Sequence, residues 1–381
     1  MHRTAKTVAA ILLAGATALA AESAAAADDK KAVFPVLVPI TGFLALEGTA
    51  QRNGAVLALD EGIDGVAARY EVQDTGTSPE VAVNALLRAL SRDEVTAVAA
   101  SIFGTQMLAM MPVAAEAEVP LLTVSGTAKL TEMGNPWVFR FFPTDAVVKV
   151  AQARYIVEEL GKKRPAIIYQ TTAYGQSGQA HLLAAFEKLG AKVVYEEGLA
   201  PDVKDMLPAL TKALAADPDV LVLHLHSGLT ALFVRQAKAN GTDLPIVAGS
   251  AMHQPTTAAL LEPAELAGVC AESGSSPISG GSPEMNAFAE TYRVRFDAEP
   301  DAFALGQYDA MRMALTAIAE GAATPEALRE KLATTEYRGL AMTYKSDGTG
   351  NMAHDAVIVC YDGESRIPHI AARYENVDGA R

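Results

Sequence analysis

Cysteine is scarce in these 381 residues: only Cys270 and Cys360 are present. With no clustered histidine beside them, they offer no zinc-ligand spacing. Both sit in valine-containing, strand-like runs, LAGVCAES and AVIVCYDG. In an oxidising compartment the pair could form one disulfide; equally, both could be small buried core thiols. Basic residues are also short, 31 Lys and Arg against 45 Asp and Glu, for a net charge of −14. That balance argues against a nucleic-acid patch. No run beyond the N-terminus is long and apolar enough to span a bilayer. There is no G-x-S-x-G elbow, no Walker loop and no His/Cys metal set. These gaps argue against an enzyme and give no reason to expect a cofactor or metal. His224 and His226 share one face of a strand, yet no third ligand accompanies them.

The N-terminus has the form of a secretory signal peptide. His2, Arg3 and Lys6 precede an uncharged apolar stretch, Val8 to Ala21, and the alanines before Asp28 offer A-x-A cleavage. No cysteine lies there to take a lipid, and there is no twin-arginine pair. Loss of residues 1–27 removes Arg3, Lys6 and Glu22 and leaves a net charge of −15. The expected location is the periplasm. The remainder, half hydrophobic and one-fifth charged overall, is long enough for about two domains.

The most informative stretch is Thr96 to Ala128, TAVAASIFGTQMLAMMPVAAEAEVPLLTVSGTA. It reads as strand, tight loop, helix, strand, tight loop. Uncharged apolar runs at 95–100 and 119–124 fit strands buried on both faces. Each ends in a loop of small residues, Ile102-Phe103-Gly104-Thr105 and Ser125-Gly126-Thr127-Ala128, and each loop opens a helix. Helix N-termini present unpaired N–H groups and the positive end of the dipole, which suits a small anion such as a carboxylate. In open α/β sheets, ligands bind beyond the carboxyl ends of the strands.

Upstream, strands at 31–39 and 66–74 alternate with helices at 49–61 and 79–92; Pro79 fits a first helical turn. Downstream, strands at 137–142, 165–170, 191–197, 219–225 and 245–249 alternate with helices at 146–160, 171–189, 205–216 and 228–240. Alternation of this kind predicts parallel sheets with right-handed crossovers. After the linker-like run 274–283 come three helices (284–297, 303–320, 324–334) and a β-like tail. The tail reads as strands at 337–344 and 355–361 around a turn at 347–351. Helices without strands and then strands without helices suggest that the chain returns to complete earlier sheets.

The stretches ITG…EGTAQRNGAVLALDE, PVAAEAEVPLLTVSGTA, WVFRFFPTD, AYGQSGQAHLLAAFEKLGAKVV, FVRQAKANG with PIVAG, and ALGQYDAMRMALTAI follow one another in an order that resembles a known family. It is the type I periplasmic solute-binding proteins of ABC transporters, in the leucine/isoleucine/valine branch. The resemblance implies an α/β fold of two Rossmann-like lobes with a ligand cleft between them. One lobe would comprise residues 32–143 and 274–340, the other 144–273 and 341–381. It implies a monomer that delivers a branched-chain amino acid or related small carboxylate to a membrane permease. It also implies site residues: the N–H of Gly104 with the Thr105 hydroxyl, a backbone group at Ser125 with the Thr127 hydroxyl, and Tyr174 covering the ligand. Family members carry serine where Gly104 stands, an aromatic near His226 or Ser227, and an ammonium-binding acid where Ala251 stands beside Met252. A buried ammonium without a counter-charge costs several kcal/mol. Either Glu47 takes over that task, or the ligand is an aromatic or aliphatic acid with no amine. A ligand sensor of the same fold is a further alternative.

Overall fold

The computed structural model describes residues 29–377; the expected signal peptide lies outside them. The first half alternates strand and helix: β1 (Lys30–Val38), α1 (Ala45–Glu61), β2 (Val66–Asp74), α2 (Pro79–Arg92), β3 (Val98–Ala100), α3 (Gly104–Glu116), β4 (Leu121–Thr123), the single turn α4 (Lys129–Glu132) and β5 (Val138–Arg140). These strands form one parallel sheet in the order β2-β1-β3-β4-β5. Every residue of β3, β4 and β5 is buried, because helices cover both faces.

The second run comprises α5 (Asp145–Arg154, continued by a π turn to Glu159), β6 (Pro165–Gln170), α6 (Ala173–Lys188), β7 (Tyr195–Leu199), α7 (Leu207–Ala215), β8 (Val220–His224), α8 (Ser227–Ala239), β9 (Ile246–Ala248), the short α9 (Pro255–Ala258) and β10 (Val269–Ser273). Three helices follow, α10 (Pro283–Phe296), α11 (Ala302–Ala319) and α12 (Pro325–Thr334). Then come the small hairpin β11 (Tyr337–Arg338) and β12 (Thr343–Tyr344), and β13 (Ala356–Cys360) and β14 (His369–Tyr374). The second sheet runs β14-β13-β10-β9-β8-β6-β7, parallel except at β13 and β14. The chain does return: α11 packs on the first sheet, with Met311, Ala314 and Leu315 in the core of Phe34, Val36 and Phe139, while β13 and β14 extend the second sheet.

The tail departs from its sequence reading in three ways. Residues 337–344 are a hairpin rather than one strand. The turn at 347–351 forms, held by Asp347, but the strands on either side join different sheets. Strand β14, half-exposed at the sheet edge, carries little apolar signal and was not anticipated. Part of the stretch expected in the second lobe packs on the first sheet. Met342, Tyr344, Met352 and Ala353 belong to the core of the first sheet, and Asn351 bridges to Arg140. Cys270 lies directly opposite Cys360 in the antiparallel pair β10–β13, and the two are disulfide-bonded, so the reading of free thiols is set aside. No helix among the described residues is long and apolar enough to cross a membrane.

Candidate functional site

The carboxyl ends of β3, β4, β6, β8 and β9 converge where the two sheets face each other. Two buried side chains shape the first sheet's loops. Gln51, on α1, donates to Ala100 O (2.7 Å) and accepts from the Ile102 N–H (2.8 Å), fixing the loop after β3. Arg140, fully buried on β5, donates to Ser125 O (3.1 Å), Thr127 O (2.6 Å) and Ala128 O (3.3 Å). It thereby gathers the carbonyls of the loop after β4 on the side away from the cleft. Burial lowers the guanidinium to about 10, so Arg140 is still charged at neutral pH.

The buried hydroxyls Ser125 Oγ and Thr127 Oγ1 have no hydrogen-bond partner among the described residues. For Ser125 this reverses the expected role: its N–H is already bound to Thr123 Oγ1 (3.1 Å) and its carbonyl to Arg140, so its hydroxyl is the free group. The glycine at 104 has a steric reason. A Cβ there would collide with Oγ1 and Cβ of Thr127. Thr127 thus fills the space that a serine side chain at 104 would need. Thr105 spans the cleft, its hydroxyl accepting from the Ala173 N–H at the start of α6 (3.4 Å).

From the second sheet, the Tyr174 ring lies 3.8 Å, centroid to centroid, from His224 at the end of β8 and is stacked at 4.9 Å on His226 just before α8. The Tyr174 hydroxyl points toward Gly249 and Ser250. Burial, with Glu272 and Asp145 adding to it, raises the phenol well above its usual range. His224 Nε2 donates to Tyr174 O (3.1 Å), which makes Nδ1 the unprotonated nitrogen; that atom has no partner. Burial holds His224 well below the ordinary imidazole range and His226 down to about 3, so both rings are neutral. Phe43 and Phe103 complete an aromatic rim around His226 at 5.7 and 6.0 Å.

Glu47 is buried, but one of its oxygens is committed. Oε1 accepts from Ser227 N–H at the start of α8 (2.9 Å) and lies 2.7 Å from Ser227 Oγ; His226 Nδ1 is 3.7 Å away. Oε2 has no partner. Burial raises this carboxyl, and the Ser227 bonds offset part of the rise. Ser227 Oγ continues to Gln254 Oε1 (2.6 Å), and Gln254 Nε2 donates to Asp301 Oδ2 (2.6 Å). Asp301 caps α11 through Oδ1, and burial pushes it up to about 6. Two acids of the first lobe therefore grip Ser227 and Gln254 of the second.

At Ala251, in the 3₁₀ turn Ser250–His253, no carboxylate is present. The nearest acid to that turn is Glu272 on β10, which accepts from Ser250 N–H (3.0 Å) and Ser250 Oγ (2.9 Å) and is neutralised by Lys149 at 2.6 Å. Met252 does not shape the cleft. Its side chain lies in the second-lobe core, and its carbonyl accepts from the Tyr361 hydroxyl. The site also contains groups that sequence reasoning missed: Arg140, Gln170, Gln254, Asp301 and Asp145. Gln170 Nε2 and Asp145 Oδ2 are both buried without a partner. The WVFRFFPTD stretch marked the segment carrying Arg140 and Asp145, but nothing in it singled out those two side chains.

Residues 31–365 match the family model described as periplasmic binding protein. A leucine-, isoleucine-, valine-, threonine- and alanine-binding protein of Pseudomonas aeruginosa is 24% identical over 83% of this chain and 84% of its own. An amino acid binding protein of the same organism is 30% identical over 55% of this chain and 58% of its own. Among solved structures, a branched-chain amino acid transporter substrate-binding protein of Streptococcus pneumoniae bound to isoleucine aligns with a TM-score of 0.82 at 24% identity, covering 92% of this chain and all of that one. A solute-binding protein of Rhodopseudomonas palustris bound to 3,4-dihydroxybenzoic acid aligns with a TM-score of 0.83 at 19% identity, covering 92% and 99%.

Proposed function

The chain belongs to the periplasmic binding protein family, and on that premise we propose that it is the substrate-binding component of an ABC importer. It captures a branched-chain amino acid or a related small carboxylate by closing two lobes over it. The observation that carries the reading is the pair of buried, unpartnered hydroxyls, Ser125 Oγ and Thr127 Oγ1, beside the start of α3. Buried polar atoms without partners are rare in folded proteins, and a carboxylate accepts from both hydroxyls and from free N–H groups of the helix start. The first lobe would thus hold the anionic end through Gly104, Ser125 and Thr127. Thr105 is engaged with Ala173, and Glu47 with Ser227, so both serve closure. Tyr174 and His226 cover the ligand, and Ala251 leaves that wall uncharged.

Closure is a two-state change in which ligand contacts to both lobes stabilise the closed form. The closed form is what a membrane permease reads. A cleaved N-terminal signal, a periplasmic location and a monomeric state belong to the same proposal.

A second reading, an aromatic acid as ligand, is favoured by the rim of Phe43, Phe103, Tyr174 and His226 and by the uncharged Ala251. Calorimetric titration with leucine, isoleucine, 4-methylpentanoate and benzoate separates the two. Thr127→Ala should weaken whichever acid binds by about 1–3 kcal/mol. Failure of all four acids to bind contradicts the proposal.

A further inference from the structure

Asp145 is the first residue of α5, at the junction of the lobes, and is 1% exposed. Its N–H donates to Gly126 O (2.8 Å), so its position is tied to the loop that carries Ser125 and Thr127. A Cβ on Gly126 would lie 3.0 Å from Asp145 Oδ1 and 3.4 Å from the Tyr174 ring. The carboxylate and the aromatic ring therefore both pack against the loop at Gly126.

Helix capping does not explain the side chain. Thr144 is the cap, its hydroxyl accepting from the Ala146 N–H (3.4 Å). Nor is the carboxylate ion-paired. Lys149, one turn on, is bound to Glu272 (2.6 Å) and Gln152 (3.0 Å). Arg140 spends its donors on the loop carbonyls, Thr131 and Asn351. His224 Nε2 lies 3.7 Å from Oδ1, but its proton goes to Tyr174 O and the ring is neutral. The Ser177 hydroxyl oxygen accepts from Ala128 N–H (3.0 Å), and the hydroxyl holds the carboxyl's rise down only in part. Oδ2 has no partner. A buried carboxylate against the loop of Ser125 and Thr127, without a cation and with one oxygen free, is costly unless a cationic donor arrives. Glu47, the rival acid, has already turned one oxygen to Ser227.

We propose that Asp145 is the specificity-determining residue that binds the ligand's ammonium group, taking the task of the acid missing at Ala251, and that the ligand is an α-amino acid. The inference rests on the carboxylate reading above. With the carboxylate end at Ser125 and Thr127 and the ammonium at Asp145, both α-substituents meet the first lobe and its junction, and the side chain points toward Tyr174 and His226. Burial pushes Asp145 up to about 7, with Lys149 and Ser177 opposing and Glu272 adding to the rise. An ammonium beside it favours the ionised form, so a complex with an ammonium ligand holds fewer protons at this group than one with an uncharged analogue.

The test is calorimetry with L-leucine and with L-2-hydroxy-4-methylpentanoate, in which a hydroxyl replaces the ammonium, in two buffers of different ionisation enthalpy at pH 7. Both ligands close the lobes, so closure cancels in the comparison. The expected result is leucine binding about a hundredfold or more tighter in the wild type. Asp145→Asn should reduce that ratio below about fivefold, whereas Glu47→Gln keeps the ratio whatever it does to affinity. Leucine should also release about half a proton more than the hydroxy acid. A wild-type ratio near one, a ratio that survives Asp145→Asn, or one erased by Glu47→Gln alone overturns the inference. If Asp145→Asn does not fold, the wild-type proton release decides, and equal release by both ligands overturns it. Binding of benzoate but neither leucine nor the hydroxy acid rejects the ammonium site and leaves carboxylate capture standing. Binding of none of the three removes both.

Discussion

Closure of this protein should take up a proton, and Asp301→Asn should abolish that uptake. In the chain Glu47–Ser227–Gln254–Asp301, two oxygen–oxygen contacts of 2.7 and 2.6 Å meet at Ser227 Oγ, which has one hydrogen. One contact needs a second hydrogen. It comes from a proton on Glu47, or the Gln254 amide turns over and the proton sits on Asp301. Either way the joined lobes hold one proton in the chain. Burial raises both acids, Asp301 to about 6.

The sign follows from linkage. A carboxyl raised in the joined form favours that form at low pH, and the advantage is lost as pH rises through its joined-form pKa. One proton is worth at most ~1.36 kcal/mol per pH unit, hence at most ~2.7 kcal/mol, or about a hundredfold in affinity, between pH 6 and 8. In Asp301→Asn the side-chain oxygen would stay on the Ala304 N–H, which Asp301 Oδ1 now caps at 2.7 Å, and the new amide would give a hydrogen to the turned Gln254. The missing hydrogen is then supplied at every pH. The assay is calorimetric affinity for one ligand from pH 5.5 to 8.5 in both proteins. The ratio of variant to wild-type affinity should be higher at pH 8.5 than at pH 5.5, by about threefold or more. Other titrating groups, Asp145 among them, cancel in the ratio. A flat ratio refutes the hydrogen count.

Gly104→Ser, which restores the residue usual in the family, should weaken ligand binding by at least tenfold in the same titration, because the new Cβ displaces the Thr127 side chain. Cys270→Ala with Cys360→Ala opens a loop of sequence separation 90 and should lower stability by about 2–5 kcal/mol in denaturant unfolding, with ligand affinity kept within about threefold.

The frame of the fold was legible because its signals are local and strong. The strands Val66–Asp74 and Pro165–Gln170 and the helix Pro79–Arg92 have the bounds their patterns predict. The tail was not, because half-exposed edge strands such as β14 carry mixed residues and pairing partners lie far away in sequence. At the site, the two loops announced themselves through their small residues and helix starts. What eluded sequence reasoning were side chains whose meaning is relational. Arg140 matters because three carbonyls turn toward it, and Asp145 because no cation does. Glu47 was noticed as an acid near the cleft, yet only its geometry assigns it to closure.

The central claim is that the loops at Gly104 and Ser125–Thr127 capture a carboxylate. Titration with L-leucine against L-leucinamide, which keeps the ammonium and side chain but replaces the carboxylate with a neutral amide, tests it most directly. Leucine should bind, and the amide should bind at least about a hundredfold more weakly. Equal affinity for the two would contradict it.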